Sequence, residues 1–68
     1  MTMEIEITLS SGIRNLHPRL QHSILEVAFE YLKKNVGASG YTVIDKGGVK
    51  AVFSISGSNA YLRLINEN

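Results

Sequence analysis

Histidine and glutamate recur at helical spacing in one stretch of this sequence. His22, Glu26 and Glu30 follow one another at intervals of four residues, which places their side chains in one strip along a helix. Imidazole and carboxylate groups bind divalent metals, but the stretch lacks the second histidine of a zinc-protease helix. A solvated, charged helix face explains the pattern more simply, so we expect no metal ion here.

His17 is the other residue suited to catalysis. It precedes Pro18, and it can act as a general base only where a nucleophile and an orienting group converge on it. No nucleophile-elbow pattern surrounds the nearest hydroxyls in the sequence, those of Ser10, Ser11 and Ser23. The sequence contains no cysteine, so no thiolate is available as a nucleophile or metal ligand. We therefore expect a protein that is not an enzyme.

The glycines do not form a phosphate-binding loop. Neither the G-x-x-x-x-G-K-[ST] nor the G-x-G-x-x-G pattern opens a helix. The pair Gly47-Gly48 is better explained by a tight turn. One helix on one small sheet rarely encloses a pocket of several hundred cubic ångströms, so we expect neither a cofactor nor a small-molecule substrate.

Length and composition predict one small domain that spans residues 1–68. The chain has 68 residues, of which 44% are apolar and 19% charged, so it is too hydrophobic to be disordered and too short for two cores. Its net charge of +1 and isoelectric point near 8.1 fall short of a dedicated nucleic-acid module. We find no apolar run that predicts a membrane span and no signal-peptide pattern, and we take the cytoplasm as the default location.

Periodicity predicts a strand and then a helix in the first half of the chain. Apolar residues alternate with polar ones over residues 3–9, which indicates a strand with one buried face. Apolar residues at helical spacing then predict a helix from Pro18 to about Asn35. Proline suits the first turn of that helix, and Asn15 or His17 is the expected cap.

The second half of the chain predicts a strand meander, which completes an α+β fold of order β-α-β-β-β. Two strands, 41–45 and 49–56, flank the turn at Lys46-Gly47-Gly48. Residues 60–66 fit either a fourth strand or a short helix, and the short turn before them favours the strand. The first strand can pair in parallel with the strand after the helix or with the last strand. The sheet face away from the helix is expected to be mostly polar and to carry Glu4, Glu6, Thr8, Lys50, Ser54 and Arg63.

The predicted helix is apolar over more of its circumference than one sheet face requires. The surplus residues are Leu25, Phe29 and Leu32, with Val36 at the helix end. They predict a protein interface in which a second copy covers the same residues around a two-fold axis. In the alternative, the loop at 13–16 and the C-terminal segment fold over them.

A small chain without a catalytic constellation is expected to act mainly by binding other molecules on its surface. The sequence therefore predicts a non-enzymatic protein-binding or regulatory accessory protein, of the kind that phages and other mobile elements also encode. Its partner is expected to be a protein, first of all itself as a homodimer. That partner is expected on the apolar helix face or at a sheet edge that accepts an added strand.

Nucleic-acid binding is the alternative function. Lys46 and Lys50 flank the hairpin, Arg63 lies on the next strand, and Tyr41 or Tyr61 offers a ring on which a base can stack. Glu4, Glu6 and Asp45, expected near the same surface, weaken the attraction for phosphate. The simpler explanation is a hairpin kept soluble by lysines that guard an edge strand.

The opening pattern resembles the DinI-type modulators of RecA. The shared features are the alternating segment Met3–Leu9, a loop of about ten residues, one amphipathic helix and a hairpin, and they cover roughly the first 45 residues. That family continues into a second, strongly acidic helix, whereas this chain has a single acid, Glu67, after Ser58. The resemblance therefore implies a similar arrangement of the first elements, and we carry no activity over from it.

Overall fold

The computed structural model describes residues 5–35 and 37–67. It has an α+β architecture in which one long helix packs on a four-stranded mixed sheet, as the sequence predicts. The predictions for Met3, Glu4 and Val36 fall outside the described residues. The elements are β1 (Glu6–Leu9), α1 (Ser11–Arg14), α2 (Pro18–Lys34), β2 (Gly40–Lys46), β3 (Val49–Ser56) and β4 (Asn59–Leu64).

The strands lie in the order β1-β4-β3-β2. β2, β3 and β4 form an antiparallel meander, and β1 pairs in parallel with β4, so that Ile7 lies opposite Ala60. Of the two partners expected for β1, the last strand is the one found. The segment after Ser58 is a strand rather than a helix, because the turn at Gly57, whose φ is 62°, returns the chain directly along β3.

Two consecutive glycines make the β2–β3 turn. Gly47 and Gly48 have φ values of 56° and 80°, and positive φ at both central residues defines the turn type that matches the twist of a hairpin. A Cβ atom at Gly48 would meet nothing within 4 Å, whereas one at Gly47 would lie 3.0 Å from a methyl carbon of Leu20. Backbone conformation alone therefore selects glycine at position 48.

Helix α2 begins where its first turn can be capped. Of the two expected caps, His17 is the one used, since its Nδ1 accepts a hydrogen bond from the Arg19 backbone N–H at 3.2 Å. Pro18 follows as the first helical residue. An N–H at this position would have no intrahelical acceptor, so the N–H that proline lacks costs no hydrogen bond. The helix then buries Ile24 and Ala28 against the sheet.

The core lies between α2, α1 and one face of the sheet. Phe53 is fully buried on β3, and its ring meets that of Tyr31 edge to face, with centroids 6.2 Å apart. Side chains from every helix and from β2, β3 and β4 join it. The buried apolar residues are Ile13, Ile24, Ala28, Ile44, Ala51, Phe53, Ile55, Ala60 and Leu62.

One turn of helix, α1, replaces part of the loop expected before α2, because side chains satisfy its free backbone N–H groups. The Ser10 hydroxyl accepts from the Ile13 N–H at 3.2 Å, and the Glu67 carboxylate accepts from the Gly12 N–H at 3.1 Å. The same carboxylate accepts from the Ser10 hydroxyl and from the Leu64 N–H at 2.8 Å. Glu67 thus ties the end of β1 to the end of β4.

These hydrogen bonds favour the charged form of Glu67. The Ser10 hydroxyl is the main cause that lowers the pKa of the Glu67 carboxyl below its ordinary value, followed by the Leu64 N–H. The pairing therefore depends on an ionised carboxylate.

Candidate binding surfaces

One side of α2, which we call the helix flank, consists of Leu25, Phe29 and Leu32. The sequence predicts that these apolar residues are more than are needed to cover one sheet face. Leu25 and Leu32 are half-buried and pack against the core. Phe29 keeps 45% of its surface exposed. The chain's own residues thus cover part of the flank and leave its centre open. Self-association through the flank remains a prediction.

The strip of possible metal ligands on α2 is divided between two exposed pairs. His22 Nε2 lies 2.7 Å from Glu26 Oε1, and Lys33 Nζ lies 3.8 Å from Glu30 Oε1. All four side chains are at least 65% exposed, so each pair contributes little to stability. Within residues 5–35 and 37–67, no three metal-ligating side chains gather.

The residues considered for catalysis serve local structure. The Nδ1 atom of His17 is occupied by the helix cap. The Ser10 hydroxyl donates to Glu67, and the Ser23 hydroxyl donates to the Arg19 carbonyl at 3.1 Å. Among the hydrogen bonds of the described residues, none joins a histidine to a hydroxyl.

The sheet face turned away from α2, which we call the open face, carries the polar residues expected there and, besides them, exposed apolar and aromatic ones. Tyr41, Val43 and Tyr61 are 69%, 49% and 42% exposed, and Val52 is half-buried beside them. Side chains alternate along a strand, so Ile44 on β2 turns to the core while its neighbours Val43 and Asp45 turn outward. The open face is therefore partly apolar and aromatic.

The strand register arranges these side chains in rows across the sheet. Tyr41 lies opposite Ser54, which lies opposite Tyr61, which lies opposite Thr8. In the next row, Val52 stands between Val43 and Arg63. A shallow depression beside Tyr61 is lined by Thr8, Ser54, Ser56, Asn59, Ala60 and Tyr61.

The predicted nucleic-acid residues are only partly brought together. Lys50 and Arg63 share the open face with both tyrosines, but Lys46 pairs with Val49 and lies on the other side of the sheet, near Gly47 and Leu20. The register thus separates Lys46 from Lys50, because a two-residue turn places Lys46 opposite the core-facing Val49. Nucleic-acid binding by these residues stays a prediction.

Positive and negative charges balance on the open face. Lys50 lies directly opposite Asp45 across the β2–β3 pair, and Glu6 lies at the start of β1. Arg63 Nη1 donates to the backbone carbonyls of Leu64 and Glu67 at 3.3 and 3.4 Å. Among the described residues of this face, two basic side chains are thus matched by two acidic ones, and one of the basic groups is partly engaged within the chain.

Val43 and the pairing of the two tyrosines in one row were missed by the sequence reasoning. The signal was present, since alternation over 41–45 puts Tyr41, Val43 and Asp45 on one face. Thr42 and Ile44 form an equally acceptable core-facing set, and only the position of α2 decides which set is exposed.

Comparison with known protein families, with curated proteins and with solved structures finds no match for this chain. No helix in the described part of the chain has the length and apolar character to cross a bilayer.

Proposed function

We propose that this chain is a non-enzymatic binding protein with an accessory or regulatory role in the cytoplasm, and that another protein docks on its open face. One observation carries the proposal. Five large hydrophobic side chains of the described residues are exposed, and three of them, Tyr41, Val43 and Tyr61, are grouped on this face. A group of this kind on a small domain marks an interaction site.

The chemistry of the open face supports a protein as the partner. Tyrosine and arginine are enriched in the cores of protein interfaces, whereas uncompensated charge is depleted there. Tyrosine also offers a large contact area for little loss of conformational entropy. The balanced charges of Lys50, Arg63, Asp45 and Glu6 allow such a surface to be covered without a buried excess of one sign.

The helix flank is the second candidate surface for a protein partner. The exposure of Phe29 between the half-buried Leu25 and Leu32 supports the homodimer expected from the sequence. A single helix contact of three residues is smaller than the open face, which is why we rank the flank second.

Nucleic-acid binding is the second candidate function, favoured by the presence of Lys50, Arg63 and both tyrosines on one face. A titration with single-stranded DNA and RNA at two salt concentrations tests it. Phosphate contacts require binding that weakens steeply as salt rises. No binding at low salt would end this candidate.

The experiment for the proposed function compares three tagged proteins in a capture from host lysate: the wild type, the double variant Tyr41→Ser/Tyr61→Ser, and Phe29→Ser. The proposal predicts that the same specific protein is retained by the wild type and by Phe29→Ser and is lost by the double variant. Loss of the captured protein from Phe29→Ser alone would move the site to the helix flank. Retention of the captured protein by the wild type and by both variants would contradict both surfaces.

A further inference from the structure

One row of the open face alternates between large and small side chains. From one sheet edge to the other, the row reads Tyr41 on β2, Ser54 on β3, Tyr61 on β4 and Thr8 on β1. Strands lie about 4.8 Å apart, so each tyrosine stands beside a gap about one strand wide. The row therefore has a ridge, a gap, a ridge and a gap, in that order.

This pattern is complementary to itself. A second sheet can be laid face to face on the first, related to it by a two-fold axis that runs parallel to the strands and passes between β3 and β4. This axis places the strands of the second sheet over those of the first in the reverse order. Tyr61 then meets the second copy's Ser54, and Tyr41 meets the second copy's Thr8. Each of the four ridges of the pair enters a gap, as the facing sides of a β-sandwich interdigitate.

We infer that the open face binds a second copy of this chain, and that the two sheets form a symmetric sandwich around this axis. The inference rests on the proposed function, because it names the protein that docks on the same face. Every contact of such a dimer occurs twice, since a two-fold interface uses the same patch on both chains.

The neighbouring residues are compatible with this axis. The row next to the tyrosines places Val52 against the aliphatic part of the second copy's Arg63. Lys50 comes over β4 of the second copy, one strand away from the second copy's Lys50. An axis along β3 would instead put the two Lys50 side chains face to face, and an axis between β2 and β3 would leave Tyr61 beyond the edge of the other sheet.

The size of the contact predicts a reversible dimer. Four strands of about six residues give a footprint of about 20 Å by 20 Å on each copy. That places the dimer at the low end of specific protein interfaces. We therefore expect a dissociation constant in the micromolar range, which concentration-dependent measurements can follow.

The test exchanges the ridge and the gap between β3 and β4. Ser54→Tyr sets two large side chains against each other at the axis, and Tyr61→Ser sets two small ones against each other. Each single variant should raise the dimer dissociation constant, measured by sedimentation velocity over a concentration series, by at least about tenfold. The double variant Ser54→Tyr/Tyr61→Ser restores a ridge over each gap and should return the constant to within about threefold of the wild type.

Phe29→Ser is the matched control, because it removes an exposed aromatic ring from the helix flank and should leave the constant unchanged. Circular dichroism and thermal unfolding establish that each variant is folded, and either single variant suffices if the other fails to fold. A chain that stays monomeric up to about 1 mM, or a double variant that is no better than the singles, would overturn the inference. The proposed function would survive that result if Tyr41→Ser/Tyr61→Ser still lost a captured foreign protein.

Discussion

Replacing Gly12 with alanine should weaken the fold, although alanine is the better helix former. Gly12 lies in α1, and its φ is not positive, so no backbone strain opposes a side chain. A Cβ atom there would lie 2.7 to 2.8 Å from the carboxyl atoms of Glu67, whereas ordinary contact begins near about 3.4 Å. The carboxylate must retreat by about 0.6 Å, which stretches its hydrogen bond from the Gly12 N–H beyond useful range.

The effect of Gly12→Ala on stability should change sign when the Glu67 carboxylate is absent. In a Glu67→Ala background the three atoms nearest to the new methyl group are gone, and Gly12→Ala should then stabilise the chain by up to about 1 kcal/mol. For a domain of this size that is an increase in Tm of about 4–8 °C. Thermal unfolding of the wild type, both single variants and the double variant measures the coupling. If Gly12→Ala shifted Tm in the same direction in both backgrounds, Glu67 would not be the link between α1 and β4.

Further predictions concern the same carboxylate, the hairpin and the core. The pKa of the Glu67 carboxyl is lowered in the folded state. The stabilisation that this carboxylate gives is therefore present above its ordinary pKa and is lost as the pH falls through the lower pKa of the folded state. Glu67→Gln should flatten that part of the profile of Tm against pH, and an unchanged profile would contradict the assignment. Gly48→Ala should cost about 1–2 kcal/mol because φ is 80° there, and Gly48→Asn should cost less, as measured by urea unfolding; equal costs would argue against a positive φ in solution. Phe53→Leu should cost about 1–3 kcal/mol of unfolding free energy through lost packing, which would be measured as a lower urea midpoint. Tyr41→Leu on the open face should change that midpoint little. A larger loss for Tyr41→Leu than for Phe53→Leu would contradict the assignment of the core face.

Periodicity predicted the main elements because each is long enough to show it. Seventeen residues of α2 and eight of β3 repeat their patterns several times, and the glycine pair marks the hairpin between β2 and β3. The short helix α1 spans only four residues, which is too few for a period to be visible. The stability of α1 depends on Glu67, which lies 57 residues beyond Ser10. No local sequence pattern indicates a hydrogen bond between residues so far apart in the chain.

The candidate site was less predictable than the fold. Of the three residues predicted as a surplus on α2, the structure leaves Phe29 exposed and packs Leu25 and Leu32 against the core. On β2 both faces hold apolar residues, so composition alone does not say that Tyr41 and Val43 are the exposed ones. The row that joins Tyr41, Ser54, Tyr61 and Thr8 depends on the register of four strands, and β1 had two acceptable partners.

Hydroxyl-radical footprinting of the wild-type chain tests the central claim, that the open face is the surface on which this protein is bound. Samples are oxidised at concentrations below and above the midpoint of self-association, and again with any captured partner. We predict that oxidation of Tyr41 and Tyr61 falls in the bound samples, while oxidation of Phe29 and of the core-packed Tyr31 stays the same. Protection of Phe29 with both open-face tyrosines unchanged would contradict the account.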